Sequence, residues 1–395
     1  MRFIHTADWH LGKRLHDFPL HEVQKELIES FVRLVNDVEP DAVIVAGDVF
    51  DTHVPQLTAL ELWENAVESI VAEAGVPMLV IPGNHDHPDR MSAHHGIAKR
   101  AGLHLVRSLA ECPTPVTIAN VDIYGVPFHK PVHVNAAYRD EPPGVGDFDY
   151  GSAMACVLAR LNRAAGRPAV LVAHAFVEGS GDEPDGEDAI MVGGAGGVPV
   201  SSFDGYAYVA LGHIHGPRRL GKTGEVHYSG SLFPYSFREA VSSELDGVVA
   251  PGDGAKGVNV VEVRSDGAVE REFVALAASR RVQVIEGLTF DELIKRARTL
   301  DSRERLHYTL ARITDQGPVQ NAIAKLREVL PNAVLEQPNV SVAETVARLR
   351  GDHRTITPQD ALRQLYAHVY DEAMSPLELE ILDEVVGDDQ EEAAA

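Results

Sequence analysis

The sequence predicts an α/β sandwich of two mixed sheets flanked by helices, followed by a small α+β unit and C-terminal helices. From residue 1 to about 278, short apolar runs alternate with amphipathic helical patterns, which is typical of layered α/β domains. From residue 279 to 337 the order changes to strand, helix, strand, helix, strand. The sequence therefore predicts a large first domain and a smaller second one.

Five apolar runs in the first domain are predicted to be buried strands. They are short, rich in Val, Ile, Leu and Ala, and bounded by turn residues. The runs span residues 2–7, 42–46, 78–82, 169–173 and 206–211. Helical patterns lie between them at 21–38, 55–74 and 151–165.

Side chains that can bind metal follow these five strands. In chain order they are Asp8 and His10, then Asp48, then Asn84 with His85 and Asp86, then His174, and finally His213 with His215. Ligands of α/β sheets usually bind at the carboxyl ends of strands, and glycines at 47, 83 and 212 permit sharp turns there. We therefore expect these side chains to meet at one edge.

The specificity of these motifs differs. A lone Asp-x-His or Gly-Asp is common and binds no metal in most proteins, whereas Gly-Asn-His-Asp at 83–86 and Gly-His-Ile-His at 212–215 are more specific. Together, in this order, they predict a two-metal phosphoesterase site. Oxygen and imidazole donors without a thiolate favour manganese or iron, and zinc remains an alternative.

The motifs resemble those of the calcineurin-like metallophosphoesterases, and more narrowly the SbcD family of bacterial nuclease subunits. The narrower resemblance rests on residues 5–12, 47–51 and 228–237, and it extends from residue 1 to about 386. Two features depart from it. Asp51 stands where archaeal relatives carry a histidine, and residues 240–255 look like an insertion.

The resemblance implies the following domains. They are a nuclease domain at 1–278, a DNA-capping domain at 279–337, a connector at 338–357, a helical segment at 358–387 that binds an SbcC-type ATPase, and an acidic disordered tail at 388–395. In the helical segment, Thr357-Pro358 and Ser375-Pro376 each predict a helix start, because a capping residue precedes a first-turn proline.

The resemblance also implies roles for the predicted site residues. Asp48 would bridge two ions. Asp8, His10 and His215 would complete one metal site, and Asn84, His174 and His213 the other. His85 would be free of the metals and would act on the leaving oxygen as the catalytic residue.

Five further residues are candidates for supporting or DNA-contacting roles. Asp86 could orient His85 or a ligand, or it could make only a strand-end hydrogen bond. His53, Lys13, Arg14 and Arg218 lie a few residues from the predicted ligands, although each basic cluster could also be an ordinary solvated face.

Length and composition agree with a folded protein of more than one domain. The chain has 395 residues, of which 45% are hydrophobic and 24% charged, and no apolar stretch reaches membrane-spanning length. The first strand begins near Met1, which predicts no removable signal peptide and a cytoplasmic, nucleoid-associated protein. The net charge of −24 gives no support for DNA binding, since Lys and Arg neutralise phosphates, but acidic residues concentrate at 178–188 and 378–392.

Three functions are compatible with these observations. The first is a Mn²⁺-dependent DNA nuclease that acts as an exonuclease on duplex ends and an endonuclease on hairpins or single strands. By resemblance, it would be a homodimer within a heterotetramer with the ATPase. The second is a phosphodiesterase or phosphatase for small nucleotides or phosphoproteins, which would not need the additional C-terminal domains. The third is a noncatalytic scaffold, which the intact ligand set disfavours.

Overall fold

The structure, a computed structural model, describes the greater part of the chain, which divides into two units between Val282 and Gln283. The residues described are 1–138, 149–179, 197–221, 225–240, 255–315, 317, 319–337, 362–363, 366–367, 374–379 and 381–382. The predicted connector, the helix start at Thr357, the acidic tail and most of the predicted insertion lie outside them. No helix in these ranges is both long enough and apolar enough to span a membrane.

The first unit contains two six-stranded sheets. The strands of the first sheet are β1 (Arg2–Thr6), β4 (Ala42–Val45), β5 (Met78–Val80), β6 (Leu103–Leu105), β13 (Gly257–Val263) and β14 (Val269–Ala275). Their order is β14-β13-β1-β4-β5-β6, with β1 parallel to β4 and antiparallel to β13. In register, Ile4 lies between Val43 and Val260.

The second sheet is formed by the later strands of this unit. They are β7 (Val116–Ile118), β8 (Val121–Val126), β9 (Ala169–His174), β10 (Tyr208–Gly212), β11 (Arg218–Leu220) and β12 (Val226–Tyr228). Their order is β11-β12-β10-β9-β8-β7. The central strands β8, β9, β10 and β12 are parallel, and both edge strands are antiparallel to their neighbours. A short hairpin of β2 (Arg14–Leu15) and β3 (Phe18–Pro19) lies outside both sheets.

Helices connect the parallel strands of the first unit. They are α1 (His21–Val38), α2 (Leu57–Val67) with a π-helical continuation (Glu68–Glu73), α3 (Pro88–Met91), α4 (His95–Ala101), α5 (Pro131–Ala137) and α6 (Tyr150–Leu158), with a 3₁₀ turn at Val200–Phe203. The prediction of helix at 21–38 is confirmed at both ends. The helix predicted at 151–165 ends earlier because the chain turns there, and the Asn162 N–H donates instead to the Pro113 carbonyl.

One hydrophobic core joins the two sheets. Phe3, Ile44 and Ile81 of the first sheet and its loops belong to the same buried cluster as Val170 and Leu211 of the second. Because apolar faces of both sheets contribute to it, the predicted α/β sandwich of two mixed sheets is confirmed. On the helical side, the fully buried Trp9 makes edge contacts with Phe31 of α1 and Trp63 of α2.

The second unit is a small α+β fold. Its elements are β15 (Val282–Leu288), α7 (Phe290–Ala297), a 3₁₀ turn (Glu304–Leu306), β16 (Tyr308–Ile313), α8 (Ala322–Val329) and β17 (Ala333–Glu336), and the sheet order is β15-β16-β17. The predicted order of elements is confirmed. So is the predicted capping box, in which Thr289 and Glu292 each accept from the other's backbone N–H.

The C-terminal helix start at Ser375 is also confirmed. Residues 376–379 are helical, the Glu378 N–H donates to Ser375 Oγ, and the Ser375 N–H donates to the Glu378 carboxylate. Residues 362–363, 366–367 and 381–382 are helical as well.

Candidate metal centre

The strand ends of the first unit carry the predicted ligands in strained turns. Asp8, His10 and Asp48 have φ of +53°, +43° and +51°, and His213 has φ of +107°. Non-glycine residues seldom adopt this left-handed backbone, and such strain concentrates at functional sites. The turns therefore hold these side chains at the carboxyl edges of β1, β4 and β10.

Hydrogen bonds join the two sheets at this edge. His174 Nδ1, at the end of β9, donates to the Ala46 carbonyl at 2.8 Å. The His213 N–H donates to Asp8 Oδ1 at 2.9 Å. The predicted ligands of the second sheet are thereby fixed against those of the first.

Asp8, His10 and His215 form one group of converging donors. One ligand atom from each lies within 4.8 Å of the others. His10 Nε2 is 3.1 Å from His215 Nε2. The prediction placed these three residues on one metal, and the structure brings them together.

Asn84, His174 and His213 converge beside them. Asn84 Oδ1 lies 2.9 Å from His174 Nε2 and 3.2 Å from His213 Nδ1. Burial, with a smaller contribution from the neighbouring His174, lowers the pKa of His213 to about 3. The His213 ring is therefore neutral and available as a ligand.

Asp48 lies between these two groups. Its Oδ2 is 3.6 Å from His10 Nε2 and 3.4 Å from His174 Nε2, while its Oδ1 accepts from the His85 N–H. Burial raises the pKa of Asp48, but the adjacent His174 outweighs burial and holds the pKa below its usual range. An ionised carboxylate in this position can serve both groups.

The donor chemistry of the site fits divalent cations. Because His174 Nδ1 donates to a carbonyl, Nε2 of the neutral ring is an acceptor, yet it faces the acceptors Asn84 Oδ1 and Asp48 Oδ2. Burial lowers the pKa of His174, but Asp48 outweighs it and raises the pKa to about 9, so a proton occupies Nε2 when no cation does. A bound cation can take the place of that proton, because His174 Nε2, Asn84 Oδ1 and Asp48 Oδ2 can all donate lone pairs to it.

His85 lies beside both groups of predicted ligands, and one ligand atom of His85, of His10 and of Asp51 also lie within 4.8 Å of one another. Its Nδ1 lies 3.0 Å from the Asp51 carbonyl, and its ring centroid is 4.9 Å from that of His10. With Nδ1 held by this carbonyl, Nε2 is the ring nitrogen that can face a substrate.

Asp86 accepts hydrogen bonds from the backbone of the turns that follow β4 and β5. Its carboxylate accepts from the Val49, Phe50 and Gly83 N–H groups at 3.1, 2.9 and 2.9 Å. Burial, together with the nearby Asp48, raises the pKa of Asp86 to about 6. Of the alternatives, these contacts match the strand-end hydrogen bond, which here fastens the turn after β4 to the turn after β5.

Two carboxylates lie behind predicted ligand histidines, a role that the sequence analysis assigned to neither of them. Glu239 Oε1 lies 3.2 Å from His215 Nδ1, and Asp51 Oδ1 lies 3.4 Å from His10 Nδ1. Each carboxylate forms an ion pair with a lysine, Lys256 at 2.6 Å and Lys13 at 2.7 Å. The one available signal was that Asp51 and Glu239 lie close in sequence to recognised motifs.

The electrostatic effects agree with these contacts. Burial raises the pKa of Glu239, but the His215 hydrogen bond and the Lys256 charge outweigh it and hold the pKa well below its usual range. The balance is similar at Asp51, where burial raises the pKa but His10 and Lys13 lower it to about 2. Both groups are carboxylates at neutral pH.

The remaining candidates are exposed or half-buried side chains. His53 is exposed, with Nε2 3.1 Å from the Asn84 carbonyl. Arg14 is exposed and donates to the Asp17 carbonyl, and the half-buried Arg218 lies 3.4 Å from the Gly216 carbonyl. Lys13 is held by Asp51, so its charge is already partly compensated.

Comparison with known proteins adds two family matches. Residues 1–217 match the calcineurin-like phosphoesterase family, and residues 279–370 match the type 5 capsule protein repressor C-terminal domain, SbcD_C.

Two curated relatives are similar over most of their length. The chain is 27% identical over 380 residues to the SbcD component of the nuclease SbcCD of Staphylococcus epidermidis, covering 96% of each chain. It is 28% identical over 336 residues to the protein of the same name from Staphylococcus saprophyticus, covering 85% of this chain and 84% of that one. The resemblance to the SbcD family predicted from the motifs is confirmed. Because the first family match covers more than half of the sequence and the metal-type ligands lie within it, the chain belongs to the calcineurin-like phosphoesterase family.

Proposed function

We propose that this protein is a Mn²⁺-dependent DNA nuclease that hydrolyses phosphodiesters with two divalent cations. It would act as an exonuclease on duplex ends and as an endonuclease on hairpins or single strands, in DNA repair and recombination. The observation that carries the proposal is the convergence of Asp8, Asp48 and Asn84 with four histidines at one edge of the sandwich. The names of both staphylococcal relatives support the nuclease assignment.

The proposed ligand assignment follows the two groups of donors. Asp48 would bridge the cations, with Asp8, His10 and His215 on one and Asn84, His174 and His213 on the other. The distances from Asp48 Oδ2 to His10 and His174 support this bridging role. Histidine and asparagine are neutral ligands, so few negative charges would repel an incoming phosphate.

The cations would polarise the phosphodiester and lower the pKa of the attacking water. We favour Mn²⁺ because the donors are carboxylate, amide and imidazole atoms without thiolates. The chain's own part is to hold these donors: Ala46 fixes the His174 ring, and the Asp8 carboxylate fixes the backbone of His213.

His85 would protonate or stabilise the departing 3′ oxygen. Its backbone N–H is held by Asp48 and its Nδ1 by the Asp51 carbonyl, which orients the ring beside the predicted metal ligands. General acid catalysis of this kind contributes typically about 10²–10⁴-fold to rate.

The proposed partners are DNA and an SbcC-type ATPase. We assign the helical segment at 358–387 to the ATPase, residues 279–337 to DNA capping, and the assembly to a homodimer within a heterotetramer that acts in the cytoplasm at the nucleoid. The match of residues 279–370 to SbcD_C and the relatives' name support a complex of this kind. The proposed DNA contacts are Lys13, Arg14, Arg218 and His53.

A nuclease assay tests the proposed activity. The full chain is incubated with hairpin and blunt duplex DNA, with Mn²⁺ or EDTA, and with or without the SbcC-type ATPase. We expect Mn²⁺-dependent degradation of the hairpin. Hydrolysis of a small chromogenic diester with no cleavage of any DNA would instead favour the small-substrate phosphodiesterase.

A further inference from the structure

Glu239 binds the far side of a predicted ligand ring. Its Oε1 lies 3.2 Å from His215 Nδ1 and also accepts from the Tyr235 N–H at 3.2 Å. A carboxylate accepts hydrogen bonds but donates none, so this contact places a ring proton on Nδ1, and in the neutral ring Nε2 carries the lone pair. His215 Nε2 is the atom that faces His10.

Lys256 fixes Glu239 from the other side. Its side chain is 7% exposed, and Nζ donates to Glu239 Oε2 at 2.6 Å, to the His215 carbonyl at 2.8 Å and to Ser231 Oγ at 2.9 Å. The ammonium thus uses its three donors and compensates the half-buried carboxylate, whose desolvation would otherwise be costly. His215 is consequently held through its ring by Glu239 and through its backbone by Lys256.

In the half of the centre that contains His174, the far side of the ligand ring contacts a backbone carbonyl rather than a carboxylate. The Nδ1 of His174 donates to the Ala46 carbonyl, a neutral group supplied by the backbone. Removing a side chain cannot remove that acceptor. Among the described residues, it is the half containing His215 and His10 whose ligand rings are backed by carboxylates.

We propose that Glu239, anchored by Lys256, is a positioning residue that holds His215 in the tautomer and orientation required of a metal ligand. Its loss weakens cation binding at the Asp8, His10, His215 half selectively. The inference rests on the ligand assignment in the proposed function. Partners behind ligand histidines typically change metal affinity by about 10–100-fold when mutated.

Mn²⁺ titration of the full-length, cation-free protein tests this, with free Mn²⁺ measured by electron paramagnetic resonance. Wild type is expected to bind two ions. In Glu239→Gln we expect one site to weaken by about 10–100-fold while the other keeps its affinity. Lys256→Met should weaken the same site, because Glu239 then lacks its anchor.

Glu225→Gln is the matched control. Glu225 also pairs with a buried histidine, His227 at 2.7 Å, and with a basic side chain, Arg219 at 3.0 Å, but His227 is not a predicted ligand. This variant should bind both ions as wild type does. Circular dichroism checks that every variant is folded.

The possible results separate the two proposals. If Glu239→Gln binds both ions like wild type, or loses affinity equally at both, the positioning role is wrong. If wild type binds two ions, Glu239→Gln weakens one of them selectively and wild type nevertheless cleaves no DNA, the inference stands and the nuclease assignment is wrong. A wild-type chain that binds no Mn²⁺ overturns both.

Discussion

His85 is the residue on which the proposed chemistry depends most. It is held by the Asp48 carboxylate and the Asp51 carbonyl but belongs to neither group of proposed ligands. We predict that His85→Gln lowers the rate of DNA cleavage by about 10²–10⁴-fold while both Mn²⁺ ions remain bound, because glutamine cannot supply the proton. Single-turnover cleavage and Mn²⁺ stoichiometry measure the two effects. A normal rate, or loss of both ions, contradicts the assignment.

Asp48 should control both ions together. Its Oδ2 lies between His10 and His174, so Asp48→Ala removes a ligand from each half of the centre. We predict that the variant retains neither ion in equilibrium dialysis. Asp122→Ala is the control, since Asp122 is also buried but pairs with Thr117 and Arg167 away from the site. One ion retained at full occupancy in Asp48→Ala would argue against bridging.

At this scale, the sequence identified the side chains that lie in local motifs. The seven predicted ligands follow strands at recognisable spacings, and the fold brings them together. Glu239 and Lys256 could not be found in this way, because 16 residues separate them in sequence and only the fold brings Lys256 to Glu239. Such support is defined by three-dimensional packing rather than by spacing.

Secondary structure elements position the site through close contact of their ends. Gly47 has φ of +95°, and a Cβ at this position would collide with the His174 ring. Gly166 has φ of +85° with open space around it, so alanine there meets only backbone strain. Alanine variants at the two positions therefore share the cost of backbone strain, but only the variant at Gly47 adds a steric collision.

We predict that Gly47→Ala destabilises the protein more than Gly166→Ala and also abolishes stoichiometric Mn²⁺ binding. The left-handed backbone alone should cost about 1–2 kcal/mol in either variant. Collision with His174 adds to this cost only at Gly47. Urea unfolding and Mn²⁺ titration measure the difference. Equal unfolding free energies together with two bound ions in both variants would refute it.

The predicted elements were accurate where apolar periodicity determines them and less accurate at their ends. The helix over His21–Val38 and the capping box at Thr289 were predicted correctly because their signals are local. The strand predicted at 206–211 begins at Tyr208 and includes Gly212, since it ends where pairing with His174 ends. Such limits depend on the neighbouring strand, which a single sequence does not specify.

For the whole molecule, the resemblance recognised in the sequence includes both units. The family matches at 1–217 and 279–370 fall on either side of the break predicted at 278/279, and contact between residues divides the chain at Val282/Gln283. The net charge of the whole chain was a poorer guide to function than this resemblance. The net charge of −24 does not describe the surroundings of individual sites, where Lys13 and Lys256 each lie beside a carboxylate.

The C-terminal segment carries exposed apolar residues on a capped helix. Ser375 and Glu378 form reciprocal hydrogen bonds at the start of the helical residues 376–379. Leu377 and Ile381 nevertheless remain 66% and 51% exposed. Short helices are marginal without a surface to cover, and this exposed apolar pair is the basis for the proposed contact with the ATPase.

We predict that truncation after Gly351 leaves a folded, Mn²⁺-binding nuclease that no longer binds the SbcC-type ATPase. The predicted metal ligands and the three-stranded sheet of the second unit all precede residue 337, so the deletion leaves these residues in place. The full-length double variant Leu377→Asp/Ile381→Asp should also lose binding in a pull-down, which distinguishes loss of this apolar surface from loss of chain length. Unimpaired binding by the truncated protein would show that the segment is not the interface, and its unfolding would show that the segment belongs to the fold.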